Sequence, residues 1–229
     1  ISACLVGSEM CIRDRLKNRG ILFFVNGTQS FPYYHEKLGD CHIDAFMCSF
    51  HKWSGSGFCG SFFYTSEEFS TNFPSPLAGW LSVKPQENEV CYPLNDGNFT
   101  LHNNAQVYEL GTSNPYPYLT MSLIYDFFET IGYGKIIKRI EHLHQLVVQT
   151  IQKFPKLRLI SPTSISKERS AIIAFQHSTF TAQMCEYLTA NKILVAYRNG
   201  NCRVDVNIFT TERDIEALET GLQKYFDQV

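Results

Sequence analysis

Lys52 carries the clearest chemistry in the chain. It stands in Ser49-Phe50-His51-Lys52-Trp53, a polar turn directly after the largely apolar run Asp44 to Cys48. A second marker, Asn26-Gly-Thr-Gln29, follows the apolar run Ile21 to Val25. An amine at the mouth of one strand, with an amide pair at the mouth of another, can hold a pyridine aldehyde. The amine forms a Schiff base, the polar side chains before it grip a phosphate, and the amide pair faces the ring nitrogen and ring oxygen. A lysine taken at random is a solvated loop charge. Its seat after a buried strand sets this one apart.

The elements that must position these groups are legible in outline. Ile21 to Val25 and Asp44 to Cys48 are continuous apolar runs, as expected of parallel strands covered on both faces. Gly60 to Thr65 reads as a third strand of this kind. Residues 66–105 are rich in Pro, Asn, Ser and Gly and read mostly as loop, long enough to be functional or an interface. Leu119, Leu123, Ile124, Phe127, Phe128 and Ile131 recur at helical spacing, and Gly132 and Gly134 interrupt it. Ile136, Ile137, Ile140, Leu143, Val147 and Ile151 mark a second helix, which Pro155 ends. Short strands are expected near Leu157 to Ile160, Ala171 to Phe175, Ile193 to Tyr197 and Cys202 to Val206, with a helix around Thr181 to Ala190. The last helix starts at Thr211, with Asp214 three residues on as a variant capping box. The pattern after residue 130 is that of a separate α+β domain.

Four segments together resemble one family. Asn26-Gly-Thr-Gln29 is similar to the Asp-(Ala/Gly)-x-Gln motif of class V pyridoxal-phosphate enzymes, the aminotransferase and cysteine-desulfurase-like group. Ser49-x-His51-Lys52-Trp53 resembles that group's Schiff-base motif. Tyr108-Glu-Leu-Gly-Thr112-Ser-Asn-Pro115 and the segment Arg203 to Asp214 resemble two further motifs, and all four occur in the family's order. The resemblance implies an α/β architecture of fold type I: a truncated large domain with a parallel-dominated sheet over residues 15–118, then a linking helix and a small α+β domain over 119–229. It implies pyridoxal 5′-phosphate as cofactor, with Lys52 as Schiff-base lysine and proton carrier at the substrate α-carbon. Asn26, Gln29, Ser49, His51 and Thr112 would bind the cofactor, Thr112 reaching a phosphate across a dimer. Arg203 would fork onto the substrate α-carboxylate, a task that suits a guanidinium. The implied assembly is a homodimer acting on an amino acid or related amine by amino transfer, elimination or epimerisation.

Two departures bear on chemistry. Asn26 stands where the family has Asp. A carboxylate keeps the pyridine nitrogen protonated, which an amide cannot do, although an amide can still hydrogen-bond it. Slow chemistry, or a degenerate subunit that only binds, is the alternative this raises. The second departure is in Arg198-Asn-Gly-Asn-Cys202, which runs straight into Arg203 without the loop that carries a desulfurase's reactive cysteine. Cys202 therefore reads as a strand residue, and cysteine desulfuration as a third reading.

The totals bound the rest. The chain has 229 residues, a formal net charge of -2, 18% charged residues and 14% aromatics. That composition buries a sizeable core and makes no case for nucleic acid or an acidic surface. No apolar run approaches the ~20 residues of a membrane helix. Eight scattered cysteines form no C-x-x-C pair, so a metal site is not expected, and reduced thiols in a cytosolic protein are. Residues 1–14 show no periodicity and no signal-peptide pattern. They resemble translated adapter sequence and are read as a non-native leader, with the family resemblance beginning near Leu16. The chain is expected to be the back half of a larger enzyme.

Overall fold

The computed structural model describes residues 15–32, 38, 42–58, 60–85, 97–162 and 170–228. The leader read at 1–14, residues 86–96 of the expected loop, and Cys4, Cys11, Cys41, Cys59 and Cys91 lie outside the described residues. The chain divides into two compact units, one ending at Asp126 and one running from Phe127.

In the first unit a helix end leads into the sheet. Gly20, at φ 64°, closes it: Ile21 N–H donates to Leu16 O and Gly20 N–H to Lys17 O, both at 3.0 Å. This is the Schellman arrangement, in which a left-handed residue satisfies the last carbonyls, and glycine adopts it without a Cβ clash. Strand β1, Phe24–Asn26, pairs parallel with β2, Ala45–Ser49, with Asn26 opposite Met47. The entrance to the pair is tied by Asp44, whose carboxylate accepts the Phe23 N–H at 2.6 Å. Strand β3, Ser61–Thr65, runs antiparallel to β2, with Ser49 opposite Ser61.

Two sequence expectations change here. The sheet is mixed, with one parallel and one antiparallel pair among the described residues. A parallel neighbour needs a crossover of about a dozen residues or more, usually helical. Here the chain turns back directly after Ser49, and β3 returns beside β2. The apolar run before Asn26 is also not covered on both faces. Among the described residues β1 pairs with β2 alone, and Phe24 is 52% exposed. The expected long loop contains the short helix α1, Glu67–Asn72, capped by the Ser66 hydroxyl on Phe69 N–H, and a 3-10 turn at Ala105–Tyr108.

Aromatic packing holds the sheet to the segments that follow. Phe62 stacks on Phe46 at 5.4 Å between ring centroids, and Phe50 meets Tyr118 edge-on at 5.8 Å. Tyr118 belongs to α2, Tyr116–Ile131.

In the second unit, Gly132 at φ 91° separates α2 from α3, Tyr133–Gln152; Gly134 lies inside the first turn of α3. Helix α3 buries Ile136, Ile140, Leu143, Val147 and Ile151 of the stripe its periodicity predicts, and leaves Ile137 half-buried. A four-stranded antiparallel sheet follows: β4 Leu157–Leu159, β5 Ile172–His177, β6 Ala196–Arg198 and β7 Asn201–Asp205, in the order β4-β5-β7-β6. Asn199 and Gly200, both at positive φ, make the two-residue turn between β6 and β7. That is the turn type whose twist matches paired strands, and Asn-Gly is its favoured sequence.

Helix α4, Thr181–Ala190, and helix α5, Glu212–Phe226, complete the unit. At the start of α5 the Asp214 carboxylate reaches back to the Thr211 N–H at 2.7 Å. The bond holds the Asp214 carboxyl below its ordinary range. Helices α3 and α5 are clamped at both ends. Arg139 forks onto Glu212, and Lys153 reaches both oxygens of Glu219 at 2.7 Å. The Arg139 guanidinium lowers the exposed Glu212 carboxyl to about 2.

Candidate active site

The candidate site is built at the carboxyl ends of β1 and β2, where parallel strands characteristically present ligand-binding groups. β2 ends at Ser49, and the backbone turns at once. Phe50 is locked into that turn. Its N–H donates to Gly60 O at 2.9 Å, and its carbonyl accepts the Ser56 N–H at 3.0 Å and the Ser54 hydroxyl at 2.6 Å. Lys52 O accepts the Gly55 N–H at 3.0 Å, and Gly55 takes φ 64°. Phe50, Trp53, Ser54 and Ser56 are buried, while His51 and Lys52 are exposed. The turn is therefore a rigid base that delivers two polar side chains outward. The His51 ring stacks on Phe58 at 5.5 Å and 12°.

Asn26-Gly-Thr-Gln29 is folded as a 3-10 turn at the end of β1. Asn26 Oδ1 accepts the Thr28 N–H at 3.1 Å. Gly27 packs on the Phe46 ring, and a Cβ there would stand 1.9 Å from Phe46 Cζ. Glycine is required by that approach. Thr28 is buried, and its Oγ1 accepts the Ser49 N–H at 3.0 Å. The two motifs are thus joined directly, the turn after β1 to the residue that opens the lysine turn. Thr28 is the site residue that sequence reading missed. Nothing in its type distinguishes it from any turn threonine.

The predicted residues fall into separate groups. Asn26, Gln29, Ser49, His51 and Lys52 gather at the two strand ends. Thr112, after Gly111, belongs to the same unit; it is exposed and makes no hydrogen bond among the described residues. Arg203 lies in the second unit, on β7, where its Nε and Nη2 fork onto Asp205 Oδ2 at 3.2 and 3.0 Å. A cleft of about 460 Å³ opens at the entry ends of β1 and β2, lined by residues that include Lys17, Phe23, Asp44 and Glu68; this is the end away from Lys52.

Two of the three described cysteines, Cys48 and Cys202, are unsuited to nucleophilic work. Cys48, Cys185 and Cys202 are free and buried. Burial pushes the Cys48 thiol up to about 12. Cys202 is fully buried in β7; its interaction with Cys185, together with burial, raises its thiol pKa, and the same interaction lowers that of Cys185. A thiol raised in this way gives little thiolate.

The donor set fits pyridoxal phosphate. An exposed amine stands on a fixed turn, a hydroxyl and an imidazole precede it, and an amide pair lies on the adjoining strand end. Fold and site together define a type I pyridoxal-phosphate enzyme fold over the part that the chain spans. The aminotransferase class-V family model matches residues 9–218, and the chain belongs to that family.

A protein named "Probable cysteine desulfurase" from Xylella fastidiosa is 25% identical over 233 residues, covering 94% of this chain and 52% of the relative. An apo cysteine desulfurase from Thermococcus onnurineus superposes with a TM-score of 0.84 at 17% identity, covering 99% of this chain and 57% of that one. A cysteine desulfurase from Escherichia coli superposes with a TM-score of 0.80 at 15% identity, covering 96% and 55%. The chain spans about half the length of the curated relative it matches. The family is one of pyridoxal-phosphate-dependent enzymes.

Proposed function

We propose that the protein binds pyridoxal 5′-phosphate through Lys52 and turns over an amino acid or related amine. The observation that carries this reading is the exposure of Lys52 on a turn whose flanking residues are buried, bonded through Ser49 to the turn that holds Asn26 and Gln29. The cofactor, when bound, supplies an electron-withdrawing ring that stabilises negative charge at the substrate α-carbon.

The chain's own residues do the rest. Lys52 Nζ would hold the cofactor and would take the proton from the substrate α-carbon. Ser49 and His51 hold the phosphate. Gln29 orients the ring oxygen, and Asn26 the ring nitrogen. Thr112 serves a phosphate across a dimer. Arg203, whose Nε and Nη2 both donate to Oδ2 of Asp205, would give up that single-oxygen contact for the two oxygens of the substrate α-carboxylate.

A homodimer accords with the apolar stripe Tyr116, Leu119 and Leu123 on α2, where Leu123 is 69% exposed. Patches of this kind mark interaction surfaces. A cytoplasmic setting accords with the free, buried thiols. No helix among the described residues is long and apolar enough to cross a membrane.

The reading is tested on the protein at its full natural length. It is incubated with pyridoxal phosphate, reduced with borohydride and mapped by mass spectrometry. A phosphopyridoxyl group on Lys52, absent in Lys52→Ala, is expected. A folded protein with no adduct would transfer support to the degenerate, binding-only subunit.

A further inference from the structure

Asn26 stands where the family motif has a carboxylate, and half of its side chain is already committed. Oδ1 accepts the backbone N–H of Thr28 at 3.1 Å. A backbone N–H can only donate, so the atom facing it is the amide oxygen and not the nitrogen. Thr28 is itself held from behind. It is buried, and its Oγ1 takes the Ser49 N–H. Gly27 fits between them only by lying against the Phe46 ring. The turn cannot swing to release Asn26 without losing these contacts. Besides a second lone pair on the Oδ1 already turned to Thr28, what remains on Asn26 is Nδ2, with two N–H donors. Among the described residues, nothing accepts from it.

A carboxylate and an amide NH2 address a pyridine nitrogen in opposite senses. The carboxylate accepts and favours the protonated ring. The NH2 group donates and needs the nitrogen's lone pair; a protonated nitrogen would meet it donor to donor. Turning the amide over would offer the oxygen instead. It would also strip the Thr28 N–H of its acceptor, and a lost partner is costly for a group withdrawn from water.

Building on the pyridoxal-phosphate reading above, we propose that Asn26 binds the cofactor's ring nitrogen through Nδ2–H and keeps it unprotonated. Asn26 then sets the electronic state of the cofactor. A neutral pyridine withdraws less charge from the α-carbon than a pyridinium, so the site favours reactions that ask less of the ring.

The test uses the full-length protein loaded with pyridoxal phosphate carrying 15N at the ring nitrogen. Nitrogen NMR reads the protonation state directly, without turnover. The expected resonance lies in the neutral-pyridine range across neutral pH and shifts to the pyridinium range in Asn26→Asp. A pyridinium resonance in the unaltered protein, with the Lys52 adduct still forming, would overturn the proposal and leave the cofactor reading standing. If no cofactor is taken up and no adduct forms, both fall. The measurement on the unaltered protein decides the matter even if Asn26→Asp does not fold.

Discussion

Thr28 Oγ1 accepts the backbone N–H of Ser49 at 3.0 Å, across 21 residues of sequence. This one bond connects the amide motif on β1 to the lysine turn after β2. The neighbouring strand pairing ends at Asn26 and Met47, so the bond extends the register beyond the ladder. Thr28→Val keeps the shape and leaves the Ser49 N–H without its acceptor. A loss of about 1–3 kcal/mol is expected for such an orphaned group. Denaturant titration checks it, together with weaker cofactor uptake, and Thr28→Ser should restore most of both. An unchanged midpoint in Thr28→Val would show that the bond does not matter.

Gly27 tests the same junction from the packing side. A Cβ at this position would fall 1.9 Å from the Phe46 ring, far inside contact distance. Gly27→Ala should cost about 1–3 kcal/mol or more through forced displacement of a packed side chain. Pairing it with Phe46→Leu should cost less than the sum of the two single changes, because the second makes room for the first. Strict additivity in a double-mutant cycle would refute the contact.

His177 makes the second unit sensitive to acid. It is buried, and its Nδ1 accepts two backbone N–H groups, from Thr179 at 3.0 Å and Phe180 at 2.9 Å. The proton of the neutral ring therefore sits on Nε2, which has no partner among the described residues. Burial, and then the nearby Lys156 charge, lower its pKa below the ordinary 6.5. The unfolded chain thus binds a proton that the folded chain refuses. Stability from this source is full above about pH 6.5 and is lost as pH falls from there toward the lowered folded value. Urea midpoints at pH 7.5 and pH 5 should differ, and His177→Asn should flatten the difference. A midpoint independent of pH over this range would count against it.

Thiol chemistry separates the desulfurase reading from the others. Cys48, Cys185 and Cys202 are buried, and the Cys202 thiol is raised by Cys185 and by burial. Iodoacetamide should leave all three unmodified in the native protein and label them after denaturation. Peptide mass spectrometry shows which residues react. Rapid native labelling of Cys202 would mean that β7 opens enough to present a nucleophile.

The α2 stripe makes association measurable. Replacing Leu119 and Leu123 with Glu puts charge on a face that is exposed and apolar. Light scattering should report a dimer for the unaltered full-length protein and a lower mass for the double variant. Equal masses for the two would remove this face from the interface.

The sequence by itself determined the chemistry-bearing residue types and most of the elements. Lys52, Ser49 and His51 lie where a buried strand meets a polar turn, and that boundary is written in hydropathy. The helices over Tyr116–Ile131, Tyr133–Gln152 and Glu212–Phe226 follow from apolar spacing. Tertiary structure alone decided three things. The direction of β3 depended on how the chain turns after Ser49, because local propensity is the same for parallel and antiparallel partners. The role of Thr28 depended on a partner 21 residues away, which no local pattern encodes. The orientation of the Asn26 amide depended on which of its two ends met a backbone donor. Identity told that position 26 had lost a carboxylate. Only the folded turn showed which hydrogen-bonding group had taken its place.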